Sequence, residues 1–268
     1  LKSFAMTKIN NIGWYFFRQY YHQLNQDVEI KARNEALLRI RLADCAPAIE
    51  QLQRRLERCA NFSFDATSSG RGLLTGVGIP HERNIKHEFK MGMSFESTTG
   101  LPWISGSSLK GALLAALEEG EYTQTLLAAA NVEQKLKKSM AELKHLLRKE
   151  KPQEGRPCLF LGASLIPPRQ VPRAHYAQQP LFRADVITPH REATRKPLPL
   201  PFLRLRAGLH FRFYFWIEDR LLRPYFRGGR ADLKQLFYTI LKYEGLGAKK
   251  NYDFGRFVRP AWGHEFFE

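Results

Sequence analysis

Three short stretches of this chain gather residues that can hold an anion or move a proton. The first runs from Gly245 to Phe257 (GLGAKKNYDFGRF) and combines Gly245, Gly247 and Gly255 with Lys249, Lys250, Asn251 and Arg256. Glycine permits positive φ and a close approach of backbone to a ligand, and the neighbouring cations suit such a surface to phosphate. The second runs from Thr99 to Gly111 (TGLPWISGSSLKG) and places a Gly/Ser turn at a helix start. Unpaired N–H groups and the positive dipole end make that start an anion site. Ser105, Gly106, Ser107, Ser108 and Lys110 supply the candidate contacts; the plainer alternative is an N-cap before a core helix. Neither stretch has Walker A spacing, so a nucleotide pocket finds no support.

The third stretch, Thr75–Glu82 followed by His87 and Glu88, carries histidines that suit general acid–base work. A zinc HExxH helix would need histidine where Ile85 stands. The preferred reading is a turn whose histidines bond locally or touch phosphate, with His81 the candidate contact. No serine sits in a GxSxG elbow, and no carboxylate cluster resembles a two-metal site. Asp185 is the one acid of the basic third that looks deliberately placed, and it reads as a cap or turn residue. Catalytic residues, metal and cofactor are therefore all assigned as none.

These residues need elements to hold them. Pro47 opens a helix with the stripe Ile49, Leu52, Leu56 and Cys59. The cluster Trp14–Phe17, Tyr20 and Tyr21 reads as packing onto the body, with base stacking as the alternative. Phe89, Met91, Met93 and Phe95 alternate as in a strand. A helix follows with Leu109, Leu113 and Leu117 buried and Gly120 as its stop. Residues 121–153 read as a helical insertion. Strands are expected at 159–166 and 209–217, a helix at 231–243, and a last strand at 254–258. Between 167 and 201 lies a proline- and arginine-rich segment too long for an ordinary connection. The order strand, helix, strand, strand, helix, strand gives an α+β, ferredoxin-like (RRM-like) βαββαβ core. Residues 1–70 are taken as a helical N-terminal extension packing on it, and 71–268 as the core domain. The run Phe254–Val258 is similar to an RRM aromatic motif, but it falls on the fourth strand and not the third. Stacking on the sheet face in the RRM manner is rejected.

The charge says what the surface is for. With 42 Lys/Arg against 26 Asp/Glu the net charge is +16, and residues 169–259 alone hold 19 basic and 7 acidic residues, a net of +12. That is the footprint of a nucleic-acid binder. No apolar run reaches a membrane span, no signal-peptide layout is seen, and three scattered cysteines (Cys45, Cys59, Cys158) accord with a reducing cytoplasm.

Four ordered segments resemble a known family: Leu74–Glu82; Thr99–Leu113; Ala184–His190 leading to Pro199–Leu203; and Gly245–Lys249 closing with Tyr252–Phe257. They are similar to the RAMP superfamily of CRISPR proteins and, within it, to the sixth subunits of type III-B (Cmr) effector complexes. Gly162 stands where that family shows an aspartate, and the loop after His190 is short and lacks a tyrosine pair. The resemblance implies a ferredoxin-like RAMP core in an RNA-guided complex of antiviral defence, bound near the 3′ end of the guide RNA. Its implied partners are guide RNA, target RNA, and the backbone-filament and end-capping RAMP subunits. Target cleavage in that family belongs to the backbone subunits. The site residues expected to meet RNA are those named above together with Arg191. The competing reading is a metal-independent endoribonuclease that processes precursor guide RNA, using His81 or His87 with a lysine.

Overall fold

Alternating phenylalanines build the centre of the fold. In the computed structural model, which describes residues 9–22, 27–76, 83, 85–118, 120–132, 140–148, 158–167, 177–188 and 199–260, the chain opens with helices α1 (Ile12–Phe17), α2 (Asp27–Arg39) and α3 (Ala46–Cys59). Strand β1 (Phe62–Ser68), the short β2 (Ile104–Ser105) and helix α4 (Gly106–Ala116) follow. Then come α5 (Gly120–Ala129), α6 (Met140–Arg148), β3 (Cys158–Ile166), β4 (Phe182–Ile187), β5 (Leu200–Leu205) and β6 (His210–Ile217). A helical turn α7 (Asp219–Leu222), the long helix α8 (Arg230–Tyr243) and strand β7 (Phe257–Val258) complete the order.

The main sheet runs β2-β3-β6-β1-β7 and is antiparallel throughout. Leaving out the edge strand β2, the order β7-β1-β6-β3 with α4 and α8 as crossovers is the ferredoxin-like arrangement, so the α+β fold class holds. The first core strand, however, is Phe62–Ser68 and not Phe89–Phe95. Phe62, Phe64 and Ala66 lie opposite Phe215, Phe213 and Phe211 on β6. The strand therefore comes from within the stretch assigned to the helical extension.

Residues 89–95 alternate for another reason. Phe89 and Met93 are buried, yet Glu88, Gly92 and Glu96 are buried too. The backbone bonds scatter: Lys90 N–H reaches Pro201 O at 2.8 Å, Ser94 N–H reaches Thr75 Oγ1 at 2.9 Å, and Glu96 N–H reaches Leu101 O at 2.8 Å. Protein shields the segment on both sides, and it makes no ladder. Gly120 likewise opens α5 and does not stop α4. The long connector before β6 holds the antiparallel ribbon β4–β5, a second sheet.

One face of the main sheet meets α8, where the Phe237 ring lies 5.2 Å from Phe215 and 5.9 Å from Phe160. Phe64 stacks on Phe213 at 5.1 Å. The other face carries Arg212, which is clamped by Asp65 at 2.7 Å and reaches Glu57 of α3 at 3.2 Å. Helix α3 packs over β3 and β6 there, with Ile49, Leu52 and Leu56 buried and Cys59 exposed. The face on which an RRM stacks bases is thus occupied by the chain itself. His210, on the same face, shares a 2.7 Å hydrogen bond with Thr67. Burial, helped by the Arg206 charge and opposed by Asp65, pushes its pKa down to about 4. Of the N-terminal aromatics, Tyr15, Phe16, Tyr20 and Tyr21 are buried, and only Trp14 is widely exposed.

Helix α4 starts against a bulge in β3. A Cβ on Gly106 would stand 1.7 Å from Phe160 O, whereas one on Gly111 would meet nothing within 4 Å. At the bulge Gly162 has φ +122°, and a Cβ there would stand 2.2 Å from the Trp103 ring. No aspartate fits that position.

Two glycines of one helix therefore respond oppositely to the same change. Gly106→Ala is expected to destabilise the fold by about 1–3 kcal/mol through overpacking. Gly111→Ala, in open helix interior, is expected to stabilise it by about 0.5–1 kcal/mol. Urea unfolding of both variants checks the pair.

Candidate nucleic-acid interface

The glycine loop begins where α8 ends. Gly245 N–H closes the helix on Ile240 O at 2.9 Å, with Gly245 at φ +71°. The chain then folds onto residues 69–74. Leu246 N–H bonds Gly255 O at 2.8 Å, Ala248 N–H bonds Leu74 O at 2.9 Å, and Gly255 N–H bonds Gly72 O at 2.7 Å. A Cβ on Gly247 would stand 2.0 Å from Leu74 O, and one on Gly255 would stand 1.8 Å from Leu246 O. These glycines let backbone touch backbone, and Leu246 and Phe254 are buried as a result. Several of the loop's N–H groups are therefore spent inside the protein.

Lys249, Lys250 and Asn251 rise from this base. Lys249 (φ +59°) and Asp253 (φ +64°) hold left-handed conformations that non-glycine residues rarely adopt, and they bracket the 3-10 turn Lys250–Tyr252. Asn251 and Tyr252 are exposed and both lysines partly so. Lys250 reaches Glu244 Oε2 at 3.5 Å. The Arg256 guanidinium is partly buried, and its Nη1 is enclosed without a hydrogen-bond acceptor among the described residues.

Asp185 does more than turn a chain. Its carboxylate takes Arg71 Nη2 at 2.8 and 2.7 Å and Arg204 Nε at 3.0 Å. Arg204 Nη1 in turn donates to Arg71 O at 2.6 Å. The Arg71 guanidinium lies 4.8 Å over the Phe254 ring, and the Arg71 backbone N–H donates to Asp253 O at 3.0 Å. One carboxylate on β4 thereby joins the ribbon, the 69–72 turn and the glycine loop. Burial acts to raise the Asp185 pKa, but the Val186 N–H, the Arg71 hydrogen bond and the charges of Arg71 and Arg204 outweigh it and hold the carboxyl below its usual range. Arg71 went unnoticed in the sequence, although its setting between Gly70 and Gly72, both at positive φ, marks a turn built around it.

The serine turn is a genuine cap. Ser105 Oγ accepts from Ser108 N–H at 3.2 Å and shares hydrogen bonds with Ser107 Oγ and Ser108 Oγ at 2.8 and 2.9 Å. Ser107 and Ser108 are exposed; Ser105, Gly106 and Lys110 are partly buried. The two candidate edges do not form one cluster. Ser105 lies on β2 and Gly255 leads into β7, the opposite edges of the sheet, with three strands between them. Four strand spacings amount to about 19 Å, a distance that suits a long ligand and no mononucleotide. His81 and Arg191 lie outside the described residues. His87 is exposed at φ +69°, and its carbonyl accepts from Asn34. Among the described residues no group of three His, Cys, Asp or Glu could hold a metal, and no helix is long and apolar enough to cross a membrane.

The family model of the RAMP superfamily matches residues 67–258, from the end of β1 through β7. The chain belongs to the RAMP superfamily. The match takes in both candidate edges of this RAMP protein and the Asp185 junction. Its fold is similar to that of a chain in the cryo-EM structure of the type III-B Cmr-beta complex bound to cognate target RNA. That likeness has a TM-score of 0.55 at 18% identity and covers 95% of this chain and 87% of the other. A match to crystalline Cmr6 from Pyrococcus furiosus has a TM-score of 0.39 at 15% identity, covering 75% and 97%. No curated protein matches this chain.

Asp185→Asn should cost about 1–3 kcal/mol at pH 7, because it takes a charged acceptor from two arginines. The folded-state pKa is depressed, so the stabilisation is complete above the ordinary value of 3.8 and is lost as pH falls through the lower folded one. Urea unfolding at pH 7 and below pH 3.8 should show the gap between wild type and variant narrowing with acid.

Proposed function

We propose that this RAMP protein is a non-catalytic, guide-RNA-binding subunit of a cytoplasmic type III-B CRISPR effector complex, seated near the 3′ end of the guide in defence against foreign RNA and DNA. The observation that carries the reading is the Gly245–Phe257 loop. A basic turn is held up on left-handed Lys249 and Asp253 over a base that packing has already fixed. Such a surface meets a phosphate backbone without reading sequence, as a guide-binding subunit must. The serine turn on the far edge supplies a second contact along the same polymer, and the net charge of +16 draws it in.

Family membership and the likeness to a chain of an RNA-bound Cmr-beta complex support the setting. The partners in this reading are guide RNA, target RNA and neighbouring Cmr subunits.

Lys249→Ala/Lys250→Ala should weaken binding to a guide-length RNA severalfold at low salt. It should also flatten the slope of log affinity against log salt by up to about 1.4, since a single-stranded contact contributes roughly 0.7. An unchanged affinity and slope would sink the phosphate contact. Incubation of the protein with precursor guide RNA in EDTA should leave the RNA intact. Cleavage that His81→Ala or His87→Ala abolishes would establish the nuclease instead.

A further inference from the structure

Among the described residues only three aromatic side chains are classed as widely exposed: Trp14 at 57%, Tyr243 at 48% and Tyr252 at 59%. Two of them flank the basic turn. Tyr243 is the last residue of α8, and Tyr252 closes the turn that begins at Lys250. The Lys250–Glu244 contact holds that turn against the end of α8, beside Tyr243. Lys242 Nζ stands 5.0 Å from the Tyr243 ring centre. The loop's own apolar anchors are Leu246 and Phe254, both buried, so the tyrosines serve no core. Tyr252 ends a 3-10 turn whose two caps, Lys249 and Asp253, are both left-handed.

We propose that Tyr243 and Tyr252 form a stacking platform for unpaired bases of single-stranded RNA, next to the phosphate contacts of Lys249 and Lys250; this rests on the RNA-binding reading above. A tyrosine ring offers a flat apolar face with a polar rim. Every base has a π-face, so stacking on it tolerates any sequence. A protein partner fits the patch less well. Lysines are depleted at protein–protein interfaces, and here Lys242 stands beside the Tyr243 ring while Lys249 and Lys250 lead into the turn that Tyr252 closes. Cations alternating with exposed aromatics are the pattern of single-strand grooves.

The test uses the full chain with two ligands read by competition: single-stranded oligouridine, and inorganic polyphosphate as a polyanion without bases. Tyr243→Ala/Tyr252→Ala should lose on the order of tenfold or more in oligouridine affinity and keep its polyphosphate affinity, while Tyr243→Phe/Tyr252→Phe stays near wild type. Equal thermal midpoints show that both variants are folded. RNA affinity unchanged in the alanine variant overturns the platform, as does an equal loss for both ligands. Loss of association with other subunits at unchanged RNA affinity overturns it in favour of a protein contact. Lys249→Ala/Lys250→Ala, run in parallel, should weaken both ligands. If it weakens neither, the phosphate reading fails, a result separate from the fate of the tyrosines.

Discussion

Backbone lies directly on backbone where the C-terminal loop meets residues 69–74, and the rest of the interface depends on that contact. Gly247 leans on Leu74, Gly255 on Leu246 and Gly72 on Leu205, each at distances that no Cβ tolerates. Because no side chains intervene, the loop lies flat enough to bury Leu246 and Phe254 and to bring Phe254 under Arg71. Arg71 then reaches Asp185, and the ribbon β4–β5 is joined to the same unit. The cations that face outward are set by a junction whose members are mostly neutral or paired.

Electrostatics and burial divide the molecule between them. On the covered sheet face Arg212 is satisfied at short range by Asp65 and Glu57, and on helix α3 Arg55 pairs with Glu96. Burial acts to raise the Glu96 pKa, but the Arg55 hydrogen bond and the donors of Thr99 and Thr98 bring it to about 2. The His210 pKa is lowered too, here chiefly by burial, so the ring stays neutral near pH 7. Charges in this region serve structure. At the glycine loop the cations outnumber their partners, and that imbalance is what a polyanion can use.

Much of this was legible in the residues. The stripe of α8 and the alternation of β6 are strong periodic signals, and Ser105 caps α4 as its sequence context indicates. The strand Phe62–Ser68 was missed because three apolar residues in seven make a weak alternation beside a strongly helical neighbour. Phe89–Phe95 misled because burial on two sides mimics a pleat when apolar residues happen to alternate. The glycines were read as openings toward a ligand, and period or propensity alone cannot tell that use from packing on a distant backbone. Nor could local sequence foretell the junction of Arg71, Asp185 and Arg204, because Arg71 lies more than a hundred residues from the other two and meets them only through the fold.

The position of β1 carries a consequence for how the molecule is made. Phe62 to Thr67 pair with His210 to Phe215, so one of the central seams of the sheet joins segments separated by most of the intervening chain. Such pairings close slowly, because loop entropy is lost before any contact compensates. During synthesis β1 must wait, with both edges unpaired, until β6 emerges. Helix α3, immediately before it in the chain, must wait as well, because it packs over β3 and β6, which both follow β1. The helices made first are thus among the last to dock, since the strands that α2 and α3 cover come later in the chain.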